Sequence, residues 1–232
     1  MILNNLQRNS FLIKETSSNS STIYILPEKY RVIIEVEIDK KIHKISAFKG
    51  EKTLICGTNG IGKSKLFLYL LNDYKSQVFL ENLSDNISET LFLTYDEFNS
   101  VVSYLCQDLK IIDGTILDNL FMKECDINMI LNILNNYPML NALLKDDLIN
   151  KKIFYNINCP FKIKEGICLF RALVLAKSRD ILLFDSPNEI YLDEIFSNNQ
   201  DKCIFIAGHY NKSAIGKFDN IYLMSKYRNL NK

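Results

Sequence analysis

From Tyr30 to Ile38 the apolar residues Val32, Ile34, Val36 and Ile38 alternate with Arg31, Ile33, Glu35 and Glu37, the two-residue period of a strand with one buried face. Ile42 to Phe48 reads as its hairpin partner. Lys52 to Cys56 is a short apolar strand, and a glycine cluster then leads into the apolar-rich run Lys63 to Leu71, so the order is strand, glycine-rich loop, helix. Gln77 to Leu80, Leu91 to Thr94 and Val101 to Leu105 are further expected strands. Ile127, Ile130, Leu131 and Leu134 recur at helical spacing and mark a helical region that begins near residue 115 and, as a subdomain, extends to about 165. Beyond Pro160 a helix-length stretch covers Glu165 to Lys177. The uniformly apolar runs Ile181 to Phe184, ending in Asp185, and Cys203 to Ala207, ending near His209, then have the character of strands buried on both faces. Strands alternating with helices predict an α/β fold with a mostly parallel sheet, preceded by N-terminal antiparallel strands.

The polar run Glu15 to Thr22 buries little and competes for backbone hydrogen bonds, so residues 1–22 read as a polar arm and 23–232 as one folded unit. With 47% hydrophobic and 24% charged residues the 232-residue chain can bury a sizeable core, which excludes disordered and collagen-like classes. Its net charge of +1 supplies no global field for nucleic acid, so no nucleic-acid partner is expected. Leu66 to Leu71 and Ile181 to Phe184 fall far short of the roughly 20 apolar residues that span a bilayer. Met1 to Ser10 lacks the order of a secretory signal, and a cytoplasmic protein is expected. The six cysteines are scattered without metal-ligand spacing, and they read as buried thiols of a reducing compartment. His43 reads as a surface or packing residue.

The strongest chemical signal is Gly57-Thr58-Asn59-Gly60-Ile61-Gly62-Lys63-Ser64, which fits the phosphate-binding pattern Gly-x4-Gly-Lys-Ser/Thr. Glycines let consecutive N–H groups turn toward phosphates, and the following helix points its positive end at them. Lys63 reaches the β and γ oxygens, and Ser64 ligates Mg²⁺. Lys65 completes the candidate nucleotide-binding set. Asp185, at the end of an apolar strand, is the candidate for delivering a carboxylate to the same Mg²⁺.

The loop resembles that of ATP-binding-cassette proteins, and Val101-Val102-Ser103-Tyr104-Leu105-Cys106-Gln107-Asp108 is similar to the family's Gln loop, with Gln107 lying 44 residues after Lys63. The segment Gly114-Thr115-Ile116-Leu117-Asp118-Asn119 is similar to the Gly-Thr-Ile-x-x-Asn that follows that glutamine in exporter-type members. Ile204 to His209 resembles the family's switch strand. The resemblance covers about residues 30–228 and implies an ATP-binding subunit of the P-loop NTPase type with ATP and Mg²⁺ as cofactors, Gln107 reaching Mg²⁺ and the attacking water, and His209 sensing the γ-phosphate. It also implies partners: an integral-membrane permease subunit, and a second nucleotide-binding domain with which the chain would form a homo- or heterodimer. The subunit would then be peripheral to the cytoplasmic face of a membrane.

Two departures bear on activity. Ser186 follows Asp185 where hydrolysing members carry a glutamate as general base, and a serine hydroxyl holds no proton-accepting charge near neutrality. The family's Leu-Ser-Gly-Gly-Gln signature falls on Phe161-Lys162-Ile163-Lys164-Glu165, or on Cys159-Pro160-Phe161-Lys162-Ile163 in a second register, and in neither do its serine and glycines survive. Lys162 or Lys164 could offer positive charge instead, or both are simply solvated. Pro187 to Asp193 keeps an echo of the family's D-loop. Tyr24 and Tyr30 are the candidates for stacking on adenine, with core packing as the alternative for each. Three readings stand: a transporter subunit with slow hydrolysis, an inactive ATP-dependent clamp or regulatory subunit, and a soluble non-transport cassette protein.

Overall fold

The computed structural model describes residues 13–16, 22–72, 74–83, 89–120 and 127–225. Strands β1 (Ile13–Thr16) and β2 (Thr22–Ile25) pair antiparallel, so the polar arm carries a strand of its own. The rest of the arm, 1–12 and 17–21, lies outside the described residues.

Strands β3 (Tyr30–Ile38) and β4 (Lys41–Phe48) form the expected hairpin. Its two-residue tip, Asp39 and Lys40, has φ of 50° and 65°, the paired positive values of the turn whose twist matches a hairpin. β5 is Lys52–Cys56. On the other side of β3 lies β6 (Ser76–Asn82) and then β7 (Glu89–Leu93), completing a four-stranded antiparallel sheet in the order β4-β3-β6-β7. β6 runs past the expected Gln77 to Leu80 because the polar Ser76, Glu81 and Asn82 also pair with β3, opposite Val36, Arg31 and Tyr30, which a count of apolar positions does not show.

The second sheet is five-stranded and wholly parallel, in the order β11 (Asn220–Leu223), β5, β10 (Cys203–Ala207), β9 (Ile181–Asp185), β8 (Val102–Leu105). Its central strands alternate between two cores. Ile181, Leu183, Cys203 and Phe205 join the core shared with the antiparallel sheet, while Leu182, Phe184, Ile204 and Ile206 join the core covered by helices. That division is why these runs are apolar at every position; each fully buried Leu, Ile or Phe contributes about 1.5–3 kcal/mol relative to exposure.

Helix α1 (Lys63–Leu71) buries Leu66, Phe67 and Leu70. Helix α2 (Tyr95–Val101) occupies the start of the stretch expected as the strand Val101 to Leu105. A reciprocal capping box sets its N-terminus, with Thr94 Oγ1 accepting from Glu97 N and Glu97 Oε2 accepting from Thr94 N at 2.8 Å. Helices α3 (Ile116–Asn119), α4 (Ile127–Leu134), α5 (Pro138–Ile149) and α6 (Phe161–Leu175) pack around Leu134, Leu140, Leu144 and Phe170 in the second core. α6 begins four residues before the expected Glu165, where Pro160 stands as its N-cap, and a 3-10 turn, Ala176–Ser178, follows it. Short helices α7 (Leu192–Ser197) and α8 (Lys212–Ile215) connect the later strands. Among the described residues no helix is long and apolar enough to cross a membrane.

The expectation that all cysteines are buried needs correction. Cys168 and Cys203 are buried, but Cys56, Cys106 and Cys159 are half-exposed, because Cys56 ends β5, Cys106 opens the loop after β8 and Cys159 lies just before α6; Cys125 lies outside the described residues.

Candidate functional site

In a parallel sheet every strand ends at the same edge. Ala207 pairs with Ile55 on one side and Asp185 on the other, and Leu105 pairs with Phe184. The loops after β5, β8, β9 and β10 therefore open together, bringing Gly57–Ser64, Gln107, Asp185–Ser186 and His209 to one place from widely separated sequence positions.

The glycine-rich loop is shaped by its own backbone needs. A Cβ at Gly57 would stand 2.6 Å from the Met224 carbonyl oxygen, so only glycine lets the loop leave β5 beside the end of β11. Gly60 has φ of 73° and nothing within 4 Å of where its Cβ would be, so the loop faces open space there. Thr58 and Asn59 are exposed at its tip, Ile61 is buried beneath it, and Gly62 caps α1 with φ of 109°.

Lys63 Nζ donates to the carbonyls of Gly57 at 3.0 Å and Thr58 at 3.4 Å, and lies 2.8 Å from His209 Nε2. Burial lowers the Lys63 pKa, and the charges of Asp185 and Cys56 oppose that shift. Ser64 Oγ donates to Gln107 Oε1 at 3.1 Å, tying the loop to the glutamine that resembles the Gln loop. The Lys65 side chain turns to the hairpin tip, with Nζ 3.1 Å from Asp39 Oδ1 and over the Tyr69 ring.

Asp185 is 2% exposed, and its Oδ2 is buried without a hydrogen-bond partner. Burial raises its pKa, opposed in order by hydrogen bonds from Ser64 and Ser186 and by the Lys63 charge. An unpartnered buried carboxylate oxygen beside the Ser64 hydroxyl and the Gln107 amide oxygen is a set of hard oxygen donors suited to Mg²⁺. Among the described residues no group of three or more His, Cys, Asp or Glu is placed to hold a metal ion.

Ser186 has φ of 57°, its N–H donates to Ala207 O at 2.7 Å, and its Oγ lies 3.5 Å from Asp185 Oδ1. Its neighbours are held as well: Tyr210 donates to Pro187 O at 2.8 Å, and Asn188 Oδ1 accepts from Ile190 N at 3.2 Å.

The window Phe161 to Glu165 forms the start of α6. Phe161 is 69% exposed, Lys162 is exposed, and Lys164 Nζ donates to Asn156 O at 3.0 Å, a contact within its own chain. Glu165 is buried, which raises its pKa against hydrogen bonds from Asn188. Tyr30 is 1% exposed, with its hydroxyl reaching Asp180 O at 3.4 Å, so it is a core residue and stacks on no ligand. The side chain of Tyr24 lies outside the described residues.

The segment after Gln107 is clamped by Asn119, which is fully buried. Its Oδ1 accepts from Ile112 N at 2.8 Å and its Nδ2 donates to the carbonyls of Ile112 and Thr115, each at 3.0 Å. Thr115 and Asp118 add a capping box, which holds the Asp118 carboxyl below its ordinary range. Asn119→Ala removes three bonds and strands the Ile112 backbone groups, a loss of about 2–3 kcal/mol. The expected drop in Tm is roughly 5–10 °C for a chain of this size, read by calorimetry.

Sequence reasoning left His43 aside. It is 3% exposed, with Nδ1 3.0 Å from the Tyr222 hydroxyl, and with Ile38, Asp39 and Lys41 it faces a cavity that reaches Gly60 and Ile61 of the loop. No pattern along the chain links His43 to Gly60; only the placement of the β3–β4 hairpin tip beside the loop does.

No protein-family model matches the chain, and no curated protein matches it.

Proposed function

We propose that this chain is the nucleotide-binding subunit of an ATP-binding-cassette transporter of exporter type. It would bind Mg–ATP on Gly57–Ser64, close on a second nucleotide-binding domain, and couple that binding to a separate membrane permease from the cytoplasmic side. The observation that carries the reading is the convergence of Lys63, Ser64, Gln107, Asp185 and His209 at one sheet edge, with the Asp185 Oδ2 buried and unpartnered. A phosphate-binding loop sequence alone fits many enzymes. A glutamine bonded to the loop serine and a histidine bonded to the loop lysine narrow the choice.

Ser64 Oγ, Gln107 Oε1 and the Asp185 carboxylate would hold Mg²⁺, which when bound offsets the phosphate charge. Lys63 and the N–H groups of the loop hold and orient the phosphates. His209 donates or accepts at the γ end, where it now meets Lys63. The transport assignment draws on the resemblance of Gln107 and of Gly114–Asn119 to exporter-type members.

A second reading, a clamp that binds ATP without useful hydrolysis, is favoured by Ser186. Its hydroxyl sits against Asp185 at 3.5 Å and offers no base near neutral pH. The experiment is equilibrium binding of ATP to the purified chain with and without Mg²⁺, with phosphate release followed on the same sample. Mg²⁺-dependent binding with slow release supports the subunit reading, and binding without release supports the clamp. Absence of binding overturns both.

A further inference from the structure

From Leu148 to Lys164, the end of α5 to the first turn of α6, the chain carries Lys151, Lys152, Lys162 and Lys164 and no Asp or Glu, although its net charge as a whole is only +1. The same stretch presents bulky apolar side chains to solvent. Ile157 is 91% exposed, more than any other large apolar side chain among the described residues.

That exposure is set by the backbone. Gly114 and Phe154 exchange both backbone hydrogen bonds, at 2.9 and 2.8 Å, as an isolated antiparallel bridge, and the Phe154 side chain is buried in the second core. Successive side chains on extended backbone point to opposite sides, so anchoring Phe154 turns Ile153 and Tyr155 outward, and both are exposed. Asn156 N then donates to Asp113 Oδ1 at 2.7 Å, and Asn158 N to Tyr155 O at 3.0 Å, closing a turn with Ile157 at its tip. Lys164 Nζ donates to Asn156 O at 3.0 Å and holds this turn against α6. Phe161, exposed one turn before Lys164 on the same face of that helix, extends the apolar surface.

The surface joins protruding Ile, Tyr and Phe to lysines. Asp147, just before the stretch, takes up Lys152 at 3.1 Å, and Asp113 is engaged by Asn156 N, so Lys151, Lys162 and Lys164 set the sign of the local field. Interfaces between proteins deplete lysine at their centre. Apolar tips interleaved with ammonium groups suit a bilayer interface instead, where the tips enter the acyl boundary and the lysines stay among headgroups. We infer that residues 151–164 form a membrane-contact surface that docks on an anionic lipid bilayer, with Ile157 and Phe161 as its inserted side chains. This goes beyond the nucleotide reading, because it gives the chain a hold on the bilayer that needs neither nucleotide nor permease.

The test is flotation of the purified full chain with vesicles of phosphatidylcholine alone and of phosphatidylcholine containing about one third phosphatidylserine. Partition onto the anionic vesicles is expected to be stronger by roughly tenfold or more, and to fall severalfold as salt rises from about 0.1 to 0.5 M. Lys151→Gln and Lys162→Gln should each weaken it by about fivefold, and Ile157→Ser by roughly tenfold. These side chains are exposed, so a thermal melt of each variant should match that of the unaltered chain. Failure to float with either vesicle overturns the inference. So does flotation that none of the variants lowers, which would place the membrane contact elsewhere in the chain. Equal flotation with both vesicles overturns it as well, since the lysines would then be idle. Self-association in sedimentation velocity that Ile157→Ser abolishes, without vesicle binding, would make the turn a contact between proteins and overturn it too. None of these outcomes depends on nucleotide binding, so the reading of the glycine-rich loop stands or falls separately.

Discussion

Replacing Lys63 by alanine is expected to weaken Mg–ATP binding by roughly 10²–10³-fold while leaving the fold intact. The amine sits among acceptors, the carbonyls of Gly57 and Thr58 and the His209 ring nitrogen, at 3.0, 3.4 and 2.8 Å. These hold the ammonium in the loop, and on the proposed reading phosphate oxygens would take their place. Hydrogen bonds from a charged donor contribute about 1.5–3 kcal/mol each. Losing two toward the lower end of that range removes about 3–4 kcal/mol, and each 1.4 kcal/mol is about tenfold in affinity. Lys63 carries no part of either apolar core, so its loss should shift stability by less than about 1 kcal/mol. Titration calorimetry with Mg–ATP, beside a thermal melt of the same variant, checks both halves of the expectation. Unchanged affinity would mean that the nucleotide binds away from Gly57–Ser64.

Much of this arrangement was legible along the chain because its central strands are buried on both faces. Ile181–Asp185 and Cys203–Ala207 have no polar position before their ends, and a run of that kind has few alternatives to a central parallel strand. The loop was legible for a different reason: the same backbone shape requires glycine at Gly57, Gly60 and Gly62, and the spacing records it. β11 escaped notice because Asn220–Leu223 is an edge strand with two exposed apolar side chains, Ile221 and Leu223, and no alternation to mark it. Helix α2 had a local signal, the Thr94 and Glu97 capping pair, which the short apolar run beside it obscured. The placement of Lys65 toward Asp39, and of His43 beside Gly60, depends on contacts between the hairpin tip and the loop. Such contacts are tertiary and leave no period in the sequence.

Ser186→Glu is expected to raise phosphate release by roughly tenfold to a hundredfold, part of the ~10²–10⁴-fold that a positioned general base commonly contributes. The backbone at this position is fixed by φ of 57° and by the bond from Ser186 N to Ala207 O at 2.7 Å. Any side chain with a Cβ meets the same left-handed strain that serine already bears, so glutamate adds little to it. Ser186 is exposed and its Oγ lies 3.5 Å from Asp185 Oδ1, so a longer side chain starting there extends past Asp185 toward the open side of the loop. The negative charge of Asp185 would raise the pKa of the new carboxylate toward the range in which a base is both ionised and effective. Ser186→Gln, equal in length but without basicity, separates shape from proton transfer, and Lys63→Ala in the same chain should abolish the gain. Release that rises only in the glutamate variant means that the missing base limits turnover. Release that stays flat while ATP still binds moves the limit elsewhere, with the start of α6 the first place to look, since Phe161, Lys162 and Ile163 put bulky side chains where small residues would let backbone N–H groups approach a phosphate. That second outcome is the one the clamp reading requires, because on that reading the chain holds a nucleotide with neither a base at Ser186 nor a close-approach turn at the start of α6 to cleave it.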